Sequence, residues 1–493
     1  MALSPSQRLL RSLYQIVVNN VLVTIAVSLT TAVILVAAQF GFSEHIFPLH
    51  ALRPIYLLLT ALLPAAAFTL YLVNRSHDVY LVDYACFKPN INCRVPLAAF
   101  KEHMMHLRPF LDDRSVHFLT RMIDRSGLGD ETSFPPCLFY IPPSFGFSQA
   151  HAEAELILFS TIDDLFRKTC INPSSIDVLV VNCTLFTPTP SYSDMIINRY
   201  KLRSGIRSVH LSGMGCSASL ISVGLAKNLL QITPHASYAL VVSAESTSTH
   251  IYQGRKREMH LPTVLFRMGG AAALLSNSRK NNKARFRLKH LQRMITTSES
   301  AYRCVMMDED DEGNLGAHLS KDLITVSGEA LRTSITSIAP LILPLSEKLR
   351  FLLSCISRKV VNGKEVPLYV PNFCVAIEHF CIHPGGPAVI DAVQDSLRLS
   401  GSHAEPSRMT LHRFGNTSSS SLWYELAYIE AKGRMHKCDR VLMIAFGSGY
   451  KCNIAVWECI QPSHSADESW AKCIHRYPVK ACSNKITTKP HVG

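Results

Sequence analysis

Apolar and polar positions along the chain fall into two regimes. Between Arg11 and Glu44 no residue is charged, and Val17 to Phe40 is mostly Val, Leu, Ile, Ala and Thr. Pro54 to Val73 is a second uncharged stretch, closed by Arg75. Each supplies the roughly 20 apolar residues that a bilayer-spanning helix needs, and Pro64 is tolerable inside such a helix. The first run is too long for a cleaved signal peptide, and a second run follows it closely. A hairpin of two transmembrane helices within residues 1–78 is therefore expected, with both flanks cytosolic. Arg8, Arg11 and Arg75 fit the positive-inside rule, although Arg53 in the short loop runs against it.

From Tyr80 onward the pattern changes to short buried runs alternating with amphipathic ones. Val178 to Val181, Tyr238 to Ser243, Phe373 to Ile377, Arg440 to Phe446 and Cys452 to Cys459 read as strands. Ala152 to Arg167, Ser193 to Tyr200, Leu331 to Ile356, Pro387 to Leu399 and Leu422 to Ala431 read as helices. So does the run carrying Leu220, Ile221, Leu225, Leu229 and Leu230. Leu265 to Leu275 reads as strand, Gly-Gly turn, strand, and the polar Arg285 to Gly316 stretch, with its acidic run Asp308 to Glu312, as a surface loop. Two successive rounds of alternation predict α/β layers, with a first half over 79–345 and a second over 346–493.

Bulk composition narrows the partners. The chain has 493 residues, 47% hydrophobic and 18% charged, which fits a globular body with membrane content. Its formal net charge of +13 is partly local, in Arg255, Lys256 and Arg257 and in Arg279, Lys280, Lys283, Arg285, Arg287 and Lys289. Such clusters suit anionic headgroups or a phosphorylated ligand as well as nucleic acid. No aromatic residues interleave with them and no zinc-finger, RNP or helix-turn-helix pattern appears, so nucleic acid is set aside. Fifteen cysteines, an odd number without framework spacing, point to reduced thiols facing the cytosol.

Four islands carry candidate chemistry. Cys216 follows a glycine-punctuated turn (Leu-Ser-Gly-Met-Gly-Cys) and precedes an apolar-periodic helix, whose N-terminus favours a thiolate. His383 stands on a Pro- and Gly-bounded loop before a helix. Asn416 lies in Arg413-Phe-Gly-Asn-Thr-Ser418, again a loop running into a helix. The turn Gly447-Ser448-Gly449 lets backbone N–H groups approach a ligand closely. Singly, each has an ordinary structural use: an apolar filler, a satisfied loop imidazole, a helix N-cap, a hairpin. Together they supply nucleophile, imidazole, amide donor and oxyanion turn. Cys374, His379, Cys381 and His383 lie close in sequence, but no second ligand pair stands at zinc-site spacing, which weighs against a metal.

The islands resemble those of the plant 3-ketoacyl-CoA synthases, the condensing enzymes of very-long-chain fatty acid elongation. The matching text includes Val79-Tyr-Leu-Val-Asp-Tyr-Ala-Cys-Phe-Lys-Pro89, Gly213-Met-Gly-Cys-Ser-Ala218, Leu265-Phe-Arg-Met-Gly-Gly-Ala-Ala272, His383-Pro-Gly-Gly386 and Phe414-Gly-Asn-Thr-Ser-Ser-Ser-Ser-Leu-Trp-Tyr-Glu-Leu-Ala-Tyr428. The resemblance implies a thiolase-like fold of two pseudo-repeated halves in αβαβα layers, commonly a homodimer. It also implies the endoplasmic reticulum membrane, a catalytic domain facing the cytosol, and association with other elongase enzymes. Cys216 matches the acyl-accepting nucleophile, His383 and Asn416 the catalytic histidine and asparagine. Acyl-CoA and malonyl-CoA are the implied substrates, with no cofactor. Gly447, Ser448, Gly449, His379 and His412 are expected to contact substrate, and the basic clusters to attract CoA phosphates. Departures are Met294 where the family has histidine, Ser219 where it has glycine, and Thr249-His-Ile-Tyr252 where it has an Asn-Trp-Tyr text. They leave one alternative, a weakly active or inactive homologue acting as a regulatory or scaffold subunit; the intact trio favours an active enzyme.

Overall fold

A computed structural model describes residues 78–479 apart from 107–111, 141–142, 234, 250, 279–283, 361–368 and 464. The expected transmembrane hairpin lies outside the described residues. Among those described, no helix is long and apolar enough to cross a membrane.

The strands are β1 Tyr80–Cys86, β2 Ile176–Asn182, β3 Arg207–Leu211, β4 Tyr238–Glu245, β5 Gly269–Ser276, β6 Phe286–Ile295, β7 Val305–Glu309, β8 Leu315–Leu319, β9 His379–Ile382, β10 Arg440–Gly447 and β11 Lys451–Cys459. The helices are α1 Leu97–His106, α2 Asp113–Arg125, α3 Phe147–Thr169, α4 Tyr192–Tyr200, α5 Ala218–Gln231, α6 Arg257–Leu265, α7 Glu299–Arg303, α8 Leu323–Ile342, α9 Leu345–Val360, α10 Pro387–Ser396, α11 Gly401–Phe414, α12 Ser421–Ala431 and α13 Glu468–Ala471. Nine strands form one ladder in the order β3-β2-β4-β5-β1-β6-β11-β10-β9. The link between β1 and β6 spans only Tyr80↔Arg287 and Leu81↔Phe286, so the ladder is two sheets joined at a corner.

Alternation along the strands sets the layers. On β2, Val178 and Val180 point to one cluster that also holds Leu220, Val223 and Leu230 of α5 and Leu422, Trp423 and Leu426 of α12. Leu179 and Val181 point the other way, to Ile157, Leu158 and Ile162 of α3 and Ile196 of α4. In the second sheet Val441, Met443 and Ala445 face the same central helices, while Leu442, Ile444 and Phe446 face Ala330 and Ile338 of α8 and Val389 of α10. Five layers follow: helices, sheet, central helices, sheet, helices. Both sheets are covered on both faces, which is why β2, β4 and β10 read as continuous apolar runs rather than alternating ones. Helix α12 is buried along Ser421–Ile429 because it lies in the middle layer.

Several elements differ from the sequence expectation. Gly269 and Gly270 lie inside β5, because a Cβ there would strike Thr417 (2.4 Å) or Ile157 (2.3 Å); the pair is a close-packed strand, not a turn. The stretch expected as a surface loop holds β6, α7, β7 and the start of β8. Residues 373–375 form a 3-10 turn and the strand begins at His379. The 331–356 helix is two, separated at Leu343 and Pro344, since proline ends α8 and restarts the chain. β6 precedes residue 345 yet pairs along its length with β11, so the second sheet takes its first strand from the expected first half.

Candidate active site

The four islands sit at the C-terminal ends of parallel strands, where open α/β sheets hold their ligands. β2 and β4 run parallel and end at Asn182 and Glu245, and β9 and β10 run parallel and end at Ile382 and Gly447. Cys216 lies in the 3-10 turn Gly215–Ser217 that leads into α5. A Cβ on Gly215 would fall 2.6 Å from Ser448 N, and one on Gly447 would fall 2.8 Å from Met214 O. The nucleophile turn and the Gly447-Ser448-Gly449 turn thus touch backbone to backbone, with the Ser448 N–H beside the Cys216 turn.

The 416–420 loop approaches from another side. Asn416 is fixed by its backbone, N–H to Leu265 O (3.0 Å) and C=O from Arg267 N–H (3.0 Å), and its Oδ1 accepts from Ser418 N–H at 2.9 Å. That leaves the Nδ2 amide group to donate. Ser418 sits at φ +54°, a left-handed conformation rare for serine, and its Oγ lies 3.5 Å from Cys216 Sγ and 3.1 Å from Glu245 Oε2. Glu245 is buried; its Oε1 accepts from the N–H groups of Thr184 (2.7 Å) and Leu185 (2.8 Å) and from Cys183 Sγ (3.1 Å). Ser419 Oγ donates to Asn182 Oδ1 at 2.7 Å. A loop of the second half is therefore held by the strand ends of the first.

His383 follows β9 and is held by its N–H to Ile444 O (2.9 Å). The side chain is buried and Nδ1 has no hydrogen-bond partner. Burial lowers its pKa to about 4, so the imidazole is neutral at physiological pH. Gly386, after His383, packs on Leu265, whose Cδ1 would lie 3.5 Å from a Cβ placed there; the Leu265 carbonyl in turn holds Asn416. Burial also pushes the Cys216 thiol up to about 12, with Glu245 adding to the rise and the Ser418 hydrogen bond opposing it. The thiolate-favouring helix terminus is outweighed by desolvation, and Cys216 rests as S–H.

Other expected contacts are engaged elsewhere. His379 opens β9, at the end away from His383, and its Nε2 meets Asp439 Oδ2 at 2.9 Å. The His412 ring lies over Gly129, and its Nδ1 is 3.4 Å from Tyr477 Oη. Neither joins the cluster, because each already has a partner across a different seam. Several described members of the basic clusters are paired with acids: Lys256 meets Asp311 and Arg255 meets Glu312 on the β7–β8 hairpin, while Arg285 binds Asp83 and Glu430 and Arg287 binds Glu458. Ser219 accepts from Trp423 Nε1 at 2.8 Å. Met294 pairs with Cys452 in the β6–β11 ladder. Cys374 meets His403 rather than a metal set, and among the described residues no group of three or more His, Cys, Asp or Glu is placed to hold a metal ion. All fourteen described cysteines are unpaired.

Solved structures share this architecture. A fungal type III polyketide synthase, ORAS, aligns with TM-score 0.60 and 17% identity over 77% of this chain and 99% of its own, and a mutant of CsyB with TM-score 0.60 and 18% identity over 78% and 100%. The family described as FAE1/Type III polyketide synthase-like protein matches residues 71–360, and the 3-oxoacyl-[acyl-carrier-protein] synthase III C-terminal family matches 375–459. Fold and family matches together define a thiolase-like condensing acyltransferase. Among curated relatives, 3-ketoacyl-CoA synthase 5 of Arabidopsis thaliana is 51% identical over 94% of this chain and 95% of its own. 3-ketoacyl-CoA synthase 6 of the same plant is 54% identical over 83% of each. The chain belongs to the 3-ketoacyl-CoA synthase family.

Proposed function

We propose that this chain condenses a long-chain acyl-CoA with malonyl-CoA, using Cys216, His383 and Asn416 as its catalytic residues. The observation that carries this reading is the meeting of the Cys216 turn with the 416–418 loop at Ser418, beside the Gly447–Gly449 turn. Cys216 sulfur attacks the acyl-CoA thioester, forming an acyl-enzyme thioester and releasing CoA. Its thiol proton has a hydrogen-bonded route through Ser418 Oγ toward Glu245 and must end on the departing CoA sulfur. The N–H groups of Cys216 and Ser448 are the proposed donors to the tetrahedral oxyanion.

Malonyl-CoA then loses CO₂, and the electron pair left behind becomes an enolate. A neutral His383 N–H and the Asn416 Nδ2 group donate to its oxygen without competing as nucleophiles. The enolate carbon attacks the Cys216 thioester, giving a 3-ketoacyl-CoA two carbons longer, and the sulfur regains a proton. The balance calls for no redox cofactor. The uncharged runs at 17–40 and 54–73 support placement in the endoplasmic reticulum membrane, and unpaired cysteines support a cytosolic body. Among the described residues β3 pairs only with β2, and its other edge supports a homodimer built through it.

The test is a microsomal assay with radiolabelled malonyl-CoA and a panel of acyl-CoAs. Cys216→Ala is expected to abolish both acyl-enzyme and elongated product. His383→Ala and Asn416→Ala are each expected to slow malonyl decarboxylation by about 10²–10³ while Cys216 is still acylated. Loss of both half-reactions in equal measure would contradict the assigned roles.

A further inference from the structure

Helix α9 turns most of its apolar side chains outward. Leu345, Leu349, Leu352, Leu353 and Ile356 are 68, 48, 53, 61 and 47% exposed, and their spacing puts them on one stripe. On the opposite side, Glu347 and Ser354 fix the helix's roll. Glu347, buried, accepts from Asn372 N–H (2.8 Å), Tyr369 Oη–H (2.7 Å) and Arg350 (3.1 Å); Ser354 Oγ accepts from Tyr369 N–H (2.9 Å). With that side tied down, the leucines cannot rotate onto the body.

The exposed charges that the helix itself carries have one sign. Glu347 is the helix's only carboxylate, and it is consumed inward. Lys348 makes no ion pair among the described residues, and Arg350, bonded to Glu347, keeps its side chain 66% exposed. An exposed apolar stripe flanked by cations, on a helix with no exposed acid of its own, matches the interface of an anionic bilayer: leucines at the acyl boundary, ammonium and guanidinium groups among phosphates. We propose that α9 lies in the surface of an anionic lipid membrane, as a second attachment of the body besides any N-terminal anchor. Residues 17–40 and 54–73, long enough to span a bilayer, would keep α9 at high effective concentration near it, so weak intrinsic affinity suffices.

The test uses the full chain in lipid nanodiscs, with photoreactive benzoylphenylalanine at Leu352, at Ile356, or at Asp311 on the β7–β8 hairpin, whose side chain is 94% exposed. Monodisperse elution in detergent shows that each variant is folded, and the two stripe positions back each other up. After irradiation, phospholipid adducts are expected at 352 and 356 in several-fold excess over 311. They should fall several-fold when phosphatidylserine is replaced by phosphatidylcholine, or at high salt, where screening weakens the cations. Adducts to a second protein chain, no lipid adduct, equal yields at 311, or yields indifferent to lipid charge would each overturn the assignment.

Discussion

Ser418 carries one hydroxyl proton and has two neighbours able to accept it, Cys216 Sγ and Glu245 Oε2. With the proton on the Glu245 side, the Ser418 lone pair faces the thiol and takes its hydrogen. Glu245→Gln removes the buried carboxyl group at the end of this path while keeping the side chain's shape. The kcat for elongation should fall at least about tenfold, ~1.4 kcal/mol, with the KM for acyl-CoA little changed; pre-steady-state acylation of Cys216 should slow in step. Unchanged acylation would remove Glu245 from the path. Cys216, His383 and Asn416 are legible in the sequence because each sits in a short glycine-marked motif. Glu245 and Ser418 are not, since they meet only when residues 173 apart fold together. One signal exists: Tyr238–Glu245 is buried almost throughout, and a carboxylate closing such a strand needs several donors.

At the scale of elements, the site depends on two turns packed without side chains between them. In Gly447→Ala the new methyl would lie 2.4 Å from Ser217 Oγ and 2.8 Å from the Met214 carbonyl, so the turns must separate. A shift near 1 Å at a reacting group costs on the order of 10²-fold in rate. We therefore expect Gly447→Ala to lose about that much activity in the microsomal assay while remaining folded; wild-type turnover would show that the turns do not set the sulfur's position. Most long helices and buried strands are readable from periodicity. The errors have local causes. Glycines in β5 mimic a turn because their use is close packing against Thr417 and Ile157. The polar text of β6 hides a strand whose outer positions are half-exposed. Helix α11 is hidden in the sequence because Pro406 sits inside it.

For the whole molecule, acid is the revealing stress. His383 and His260 are buried with pKa lowered to about 4, against about 6.5 when unfolded. Between those values the unfolded chain binds more protons, so their contribution is complete above about pH 6.5 and is lost as pH falls toward 4. Each can account for about 3 kcal/mol across that window. Buried Glu153, Glu245 and Glu425, with raised pKa, act in the opposite direction, so the test is a difference. His260→Gln should lose less stability than the parent between pH 7 and pH 4 in denaturant unfolding; parallel curves would mean that His260 does not titrate. The layered fold itself follows from alternating elements, but the crossing of the chain into the second sheet at β6 does not, because strand partners are not encoded in any one segment.

The central layer also bears on protein engineering. Helices α5 and α12 come from opposite halves of the chain but share one continuous interior with Trp423, Trp457 and Trp470. A chimera spliced at mid-chain from two relatives would press together surfaces that were never selected as partners. Exchanges meant to transplant chain-length preference should therefore carry both central helices as a matched set.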